Sequence, residues 1–290
     1  MKALAFDVGG TKIYSAIIDD KGNFVTEVEK HSTPRDLGKI REIFLSVIEK
    51  HDSEIDAIAF STAGACNNAH TGILGSTGNM VEGYSKFDFQ SLSSTKPVYV
   101  ENDANCAAWA EHTNGASKGM SNSIMLTLGT GVGGGIILND KLYKGKSGAA
   151  GEMHFKMRTD KHRHCTCGSY DCFEVYTSGT GLKMTAEEML NNPNVTTYDV
   201  IDGVNAGDEK MKAVFDKWQN DILEGCIGLA NIFDPDCIVF SGSMAQFIDV
   251  DYLEKATNAE IITQPIKILK ATTGNYAGMI GAALLALGGK

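Results

Sequence analysis

One pattern occurs twice in this chain. Residues 3–8 (ALAFDV) read as a strand running into Gly9-Gly10-Thr11, and residues 12–18 (KIYSAII) read as its return. Residues 123–128 (SIMLTL) likewise run into Gly129-Thr130-Gly131, and 133–138 (GGGIIL) return, with Asn139-Asp140 at the tip. Apolar runs bounded by glycine-rich turns are strand signals. Neither first strand passes directly into a helix, so neither copy opens a dinucleotide-binding βαβ unit. The repetition predicts an internally duplicated chain. Helical spacing over 36–50 and from about 208 to 232 alternates with apolar runs at 55–60, 97–100, 236–240 and 266–269. That alternation predicts an α/β fold. Asp19-Asp20-Lys21-Gly22-Asn23 predicts a hairpin turn into a strand over 24–30. The Gly, Ser, Asn and Lys stretch from Asn114 to Ser121 is a natural boundary. We therefore expect a smaller N-terminal α/β domain over 1–115 and a larger one over 116–275. The last helix, within 276–290, is expected to pack back on the first domain.

Length and charge narrow the function. A chain of 290 residues can bury a substantial core in one large or two moderate domains. Its 26 basic and 36 acidic residues leave a formal charge of -10, which disfavours nucleic acid and anionic membranes as partners. Asp7 interrupts the N-terminus too early for a signal peptide, and the apolar run from Ala277 to Leu287 is too short to span a bilayer. A cytoplasmic protein is expected. Cys66, Cys106, Cys226 and Cys237 lie singly in apolar contexts and read as small buried hydrophobes. Cys165, Cys167 and Cys172 are bunched, which favours a metal site over a disulfide scaffold.

The two turns suit phosphate. Gly9 and Gly10 allow close backbone approach, and Thr11 with the free amides can donate to phosphate oxygens. Asp7 is placed to position a hydrated magnesium ion. The run Gly129-Thr130-Gly131-Val132-Gly133-Gly134-Gly135 lacks the Lys-Ser/Thr ending of a Walker motif. Two such turns, one per half, predict a phosphate chain clamped across a cleft. Ser241-Gly242-Ser243-Met244 is either a third nucleotide contact or a plain helix start. Asp103, in Glu101-Asn102-Asp103-Ala104-Asn105, sits between a strand and a helix. It is either the carboxylate that takes a hydroxyl proton during phosphoryl transfer or a helix cap. Asn102 has the donor and acceptor needed to recognise a sugar hydroxyl.

His154, Cys165, Cys167 and Cys172 form a four-ligand set suited to structural zinc, with His162 and His164 competing for the histidine position. Little apolar material lies between His154 and Cys172, so a metal would replace the missing core. Glu152 and Glu174 bracket the set, and carboxylates accept the hydrogen bonds that sugar hydroxyls donate.

Across essentially its whole length the chain resembles the ROK family (repressors, open reading frames and sugar kinases) of the actin-like ATPase clan. Asp7-Val8-Gly9-Gly10-Thr11-Lys12 and Gly129–Gly135 resemble its two phosphate motifs. Glu101–Asn105 resembles the motif bearing the catalytic base, and Cys165–Glu174 the zinc signature. The resemblance implies a two-domain actin-like (ribonuclease H-like) fold with duplicated halves and a cleft. It implies an ATP-dependent sugar kinase in which Asp103 deprotonates a hexose 6-hydroxyl that attacks the γ-phosphate of Mg-ATP. Gly64, Asn79, Asn102, Glu152, His154 and Glu174 match sugar-contact positions. Asp7, Gly9, Gly10, Thr11, Lys12, Gly129, Thr130, Gly131, Val132, Gly133, Gly242 and Ser243 fall to the nucleotide, and a homodimer is usual.

Glucose leads as acceptor, followed by N-acetylmannosamine, N-acetylglucosamine, β-glucosides and fructose. Three positions depart from the family pattern. Glu152-Met153-His154 lacks the glycine of Glu-x-Gly-His, Asp171 replaces a glycine, and Ser61-Thr62-Ala63-Gly64 lacks a proline. With the first strand at residue 3, no DNA-binding winged helix is expected. A non-catalytic sugar sensor is the alternative in another class.

Overall fold

The computed structural model describes residues 1–75 and 80–288. The proposed sugar contact Asn79 lies outside the described residues. The chain divides into two compact units interleaved in sequence. The first comprises Met1–Ser121, Gly135–Gly151 and Thr272–Lys290, and the second Asn122–Gly134 and Glu152–Ala271. With these additions the N-terminal unit is the longer of the two.

The strands of the first unit are β1 (Lys2–Val8), β2 (Lys12–Asp19), β3 (Glu29–Ser32), β4 (Ala57–Thr62), the short pair β5 (Ala65–Cys66) and β6 (Ile73–Gly75), and β7 (Val98–Asn102). Its helices include α1 (Leu37–His51) and α2 (Asp103–Asn114). The main sheet has the order β3-β2-β1-β4-β7. The β1–β2 and β2–β3 pairs are antiparallel, while β1, β4 and β7 run parallel. Of the strand expected over 24–30, Phe24 makes a single antiparallel bridge to Ile18, and a continuous strand begins only at Glu29. The reason is local: Thr26 Oγ1 accepts the Ile17 N–H at 2.9 Å, so a side chain takes a ladder donor. Asp36 caps α1 through the Lys39 N–H. The helix buries Ile40, Phe44, Val47 and Ile48, one face at helical spacing. Phe44 meets Phe6 and Phe60 edge-on, and those two rings stack at 4.8 Å. Each such side chain removed from water contributes about 1.5–3 kcal/mol.

The second sheet repeats the first. It uses β8 (Ser123–Leu128), β9 (Val132–Leu138), β10 (Lys141–Leu142), β11 (Cys237–Ser241) and β12 (Lys267–Lys270), in the order β10-β9-β8-β11-β12. Again β8, β11 and β12 run parallel, and β10 pairs antiparallel to β9. Each half is thus a strand, a glycine turn, an antiparallel return and two further parallel strands. This duplicated pair of sheets is the actin-like arrangement. Helices α3 (Glu174–Thr177), α4 (Gly179–Leu190), α5 (Thr197–Asn205), α6 (Glu209–Phe233) and α7 (Val250–Glu260) belong to the second unit. The final helix, α8 (Ala277–Ala286), packs on β1, β4 and α2. A Cβ on Gly281 would lie 1.7 Å from the Cys106 carbonyl oxygen, so α2 and α8 meet backbone to backbone. No helix among the described residues is long and apolar enough to cross a membrane.

Candidate active site

In the first unit β1 delivers Asp7 to the Gly9-Gly10 turn. The turn is closed by Gly9 N–H donating to Lys12 O at 2.9 Å and braced by Thr33 Oγ1 on Gly9 O at 2.7 Å. Thr11 and Lys12 are exposed beside it. The register sets Asp7 opposite Ser61, whose hydroxyl donates to Asp7 Oδ1 at 2.9 Å. Burial pushes the Asp7 carboxyl above its ordinary value, against the pull of that hydroxyl. An all-oxygen donor here suits a hard hydrated cation.

The β7–α2 junction bears on the cap reading of Asp103. Asn102, not Asp103, caps the helix: its side-chain oxygen accepts the Asn105 N–H at 3.1 Å. Asn102 Nδ2 donates to Gly64 O at 3.2 Å and to Asp103 Oδ1 at 3.1 Å. Asp103 is the exposed first residue of α2, with Oδ1 also accepting the Ala104 N–H. Gly64 has φ +104°, which a side chain would strain. Asp103, Asn102 and Gly64 therefore form one connected group at the C-terminal ends of the parallel strands β4 and β7. Behind them Glu101 is fully buried. Its carboxylate lies 2.6 Å from Lys144 Nζ and 2.8 Å from His70 Nδ1, two partners that no sequence motif marked. Burial alone would raise the Glu101 carboxyl, but the His70 hydrogen bond and the Lys144 charge outweigh it and hold it below its ordinary value.

In the second unit the Gly129–Gly133 turn is closed by Gly129 N–H on Gly131 O at 3.0 Å. Gly133 N–H donates to Thr127 Oγ1, and Gly179 N–H to Gly129 O at 2.8 Å. Thr180 Oγ1 reaches Thr130 O at 2.7 Å. The start of α4, capped by Ser178, is therefore part of this site. The sequence reading missed it, although Ser178-Gly179-Thr180-Gly181 carries a helix-start signal. Gly242, at φ +87°, wraps the end of β8; a Cβ there would lie 2.4 Å from Leu128 O. Ser243 follows, with Ser243 Oγ 3.9 Å from where a Gly129 Cβ would stand. Val132 N–H donates to Glu174 Oε2 at 3.0 Å.

The ligand atoms of His154, Cys165, Cys167 and Cys172 all lie within 4.8 Å of one another. Cys167 Sγ is 3.6 Å from Cys172 Sγ, and Cys165 Sγ is 3.8 Å from His154 Nδ1. A tetrahedron with metal–sulfur arms of about 2.3 Å has edges of about 3.8 Å. The donor set therefore fits zinc in chemistry and in spacing. His162 instead approaches Glu188 at 3.1 Å, and His164 packs edge-on to Tyr170, so neither joins the set. Burial pushes the Cys165 thiol up to about 12. Asp171 adopts φ +56°, the conformation natural to the glycine it replaces. Its buried carboxylate accepts the His162 and Arg163 N–H groups and the Tyr176 hydroxyl.

The model of the ROK family matches residues 3–288. The chain belongs to the ROK family. It is similar to the glucokinase of Streptomyces coelicolor, 32% identical over 308 residues covering 98% of this chain and 96% of that protein. It is also similar to the N-acetylmannosamine kinase of Yersinia pseudotuberculosis, at 29% over 292 residues and 98% of both chains. The crystal structure of a Streptomyces griseus ROK family glucokinase in complex with glucose and AMPPNP superposes with a TM-score of 0.80. That pair is 27% identical, with 99% of each chain covered. In this ROK chain only Met153 separates Glu152 from His154. His154 N–H donates to Glu152 O at 2.9 Å, and Met153 is buried. Glu152 and His154 therefore face each other, with Nε2 3.5 Å from Oε2.

Proposed function

We propose that the chain is an ATP-dependent sugar kinase that phosphorylates a hexose hydroxyl, with glucose the first acceptor to test. The observation that carries this reading is the Asn102–Asp103–Gly64 group. Its carboxylate is exposed and is not the helix cap, and it lies in a chain related end to end to sugar kinases. Asp103 takes the acceptor hydroxyl's proton as that oxygen bonds to the γ-phosphorus. The bond from phosphorus to the bridging oxygen breaks, and ADP leaves. Asn102 and the Gly64 backbone orient the hydroxyl, and Glu152, His154 and Glu174 accept or donate around the ring. Asp7 would hold hydrated magnesium, which neutralises phosphate charge. Gly9, Gly10, Thr11 and Lys12 serve the phosphates, with Gly129, Thr130, Gly131, Val132, Gly133, Gly242 and Ser243 on the nucleotide side.

Zinc at His154, Cys165, Cys167 and Cys172 would be structural, because four protein ligands fill its shell. A cytoplasmic setting supplies ATP and keeps the seven cysteines reduced. A homodimer, to be checked by sedimentation, belongs to the same reading. The test is ADP release with hexoses, N-acetylhexosamines and β-glucosides. Turnover fastest with N-acetylmannosamine would move the acceptor assignment. No turnover above the sugar-free rate with any of them would sink the kinase reading and leave a sugar sensor.

A further inference from the structure

Lys144 brings one buried cation to three segments of the first unit. Its Nζ lies 2.6 Å from Glu101 Oε2, with the two side chains 9% and 0% exposed. It donates to Asn67 O at 2.8 Å and sits 3.1 Å from His70 Nδ1. Glu101 spends its other oxygen on the catalytic junction: Oε1 accepts Asn102 N–H at 2.9 Å and Asn105 Nδ2 at 3.0 Å. His70 is itself fixed, stacked on Tyr99 and bonded to the Tyr99 hydroxyl at 3.0 Å. Lys144 also opens the segment that runs to Glu152, and that segment is laced to the loop after Gly64. Asn68 Nδ2 donates to Gly145 O and Lys146 O, and Gly148 abuts Cys66 so closely that a Cβ would lie 1.9 Å from its carbonyl oxygen.

We propose that Lys144 is a positioning residue for phosphoryl transfer. An ammonium offers three donors in different directions and a compact charge. Here it holds Glu101, and through Glu101 the Asn102–Asp103 junction, in fixed relation to the loop from Gly64 to His70. The role rests on the reading of Asp103 as the base. Small misplacement of a reacting group is enough to slow transfer severely.

The experiment compares the parent with Lys144→Met, Lys144→Arg and the double variant Lys144→Met/Glu101→Gln. Glutamine keeps the acceptor for Asn102 and Asn105 but carries no charge. The double variant therefore avoids a buried unpaired carboxylate and keeps the test open if Lys144→Met does not fold. In both Lys144→Met proteins kcat should fall by about 10–10²-fold, while KM for ATP stays at the parent value. Lys144→Arg should recover part of the rate. The double variant should regain thermal stability without regaining kcat. A folded double variant with parental kcat would overturn the positioning role and leave the pair merely structural. Equal loss of kcat in Lys144→Arg and Lys144→Met, with KM for ATP raised in both, would overturn it as well. A parent without sugar-dependent turnover would instead remove the kinase reading, and the positioning role with it.

Discussion

Glu174 Oε2 accepts the Val132 backbone N–H at 3.0 Å, so one carboxylate joins the metal-ligand segment to the glycine turn of the second unit. Its other oxygen takes Thr166 Oγ1 at 3.2 Å and lies 3.6 Å from Cys165 Sγ. Gly131 is what allows this approach, since a Cβ there would stand 2.5 Å from Glu174 Oε2. Gly131→Ala should therefore displace the Glu174 carboxylate. Overpacking of this kind costs about 1–3 kcal/mol. If the turn binds phosphate, KM for ATP should rise several-fold while metal content is unchanged. Steady-state kinetics with elemental analysis checks both, and an unchanged KM would detach this turn from nucleotide binding.

The metal site makes a prediction that does not depend on turnover. One zinc per chain is expected, and Cys167→Ser should lower the content. Saturating ligand at 100 times its dissociation constant stabilises a fold by about 2.7 kcal/mol. Chelation should therefore lower the thermal midpoint of the parent and do much less to Cys167→Ser. Metal-replete protein with no zinc by elemental analysis would refute the assignment.

Glu101 gives a pH dependence with a defined sign. Its folded carboxyl is held below its ordinary value by His70 and Lys144, despite burial. The unfolded carboxyl, near about 4.3, therefore binds its proton first as pH falls. The stabilisation is full above that value and is lost as pH drops through the folded one. The difference in thermal midpoint between parent and Glu101→Gln should shrink as pH is lowered from about 7 to below about 4. A difference that stays constant would mean that the carboxylate's charge contributes nothing.

What the sequence disclosed is what is local. Glycine turns, the cysteine spacing and the Asn-Asp junction each lie within a few residues, and backbone chemistry makes them readable. The strands around them followed, because runs such as ALAFDV and SIMLTL are apolar on both faces. Lys144 and His70 were opaque because tertiary folding alone brings them to Glu101, and the motif that contains Glu101 carries no sign of either partner. Helix α4 was hidden for another reason. Gly179 and Gly181 resemble loop residues, yet they are small because Gly129 O and the Tyr176 backbone press against them. The strand expected from residue 24 pairs only at Phe24, across from Ile18, and breaks where Thr26 Oγ1 takes the Ile17 N–H.

Asp103→Asn is the decisive variant for the chemistry. Asn102 already supplies the cap of α2, so asparagine at 103 leaves that cap intact. Had Asp103 been the cap, its loss would cost about 1 kcal/mol. Here the thermal midpoint should stay near that of the parent. The amide keeps the shape and can still accept the Ala104 N–H through its oxygen. It cannot accept the hydroxyl proton at the rate an ionised carboxylate does. Groups in this role contribute roughly 10²–10⁴-fold. The expected result is a kcat lower by at least about 10²-fold, with nucleotide affinity and zinc content unchanged. Steady-state kinetics, calorimetric binding of an ATP analogue and thermal unfolding on one preparation give all three readings. If kcat stays within a few-fold of the parent in folded protein, Asp103 is not the base. Glu152, an exposed carboxylate facing His154 at 3.5 Å, is then the next residue to replace.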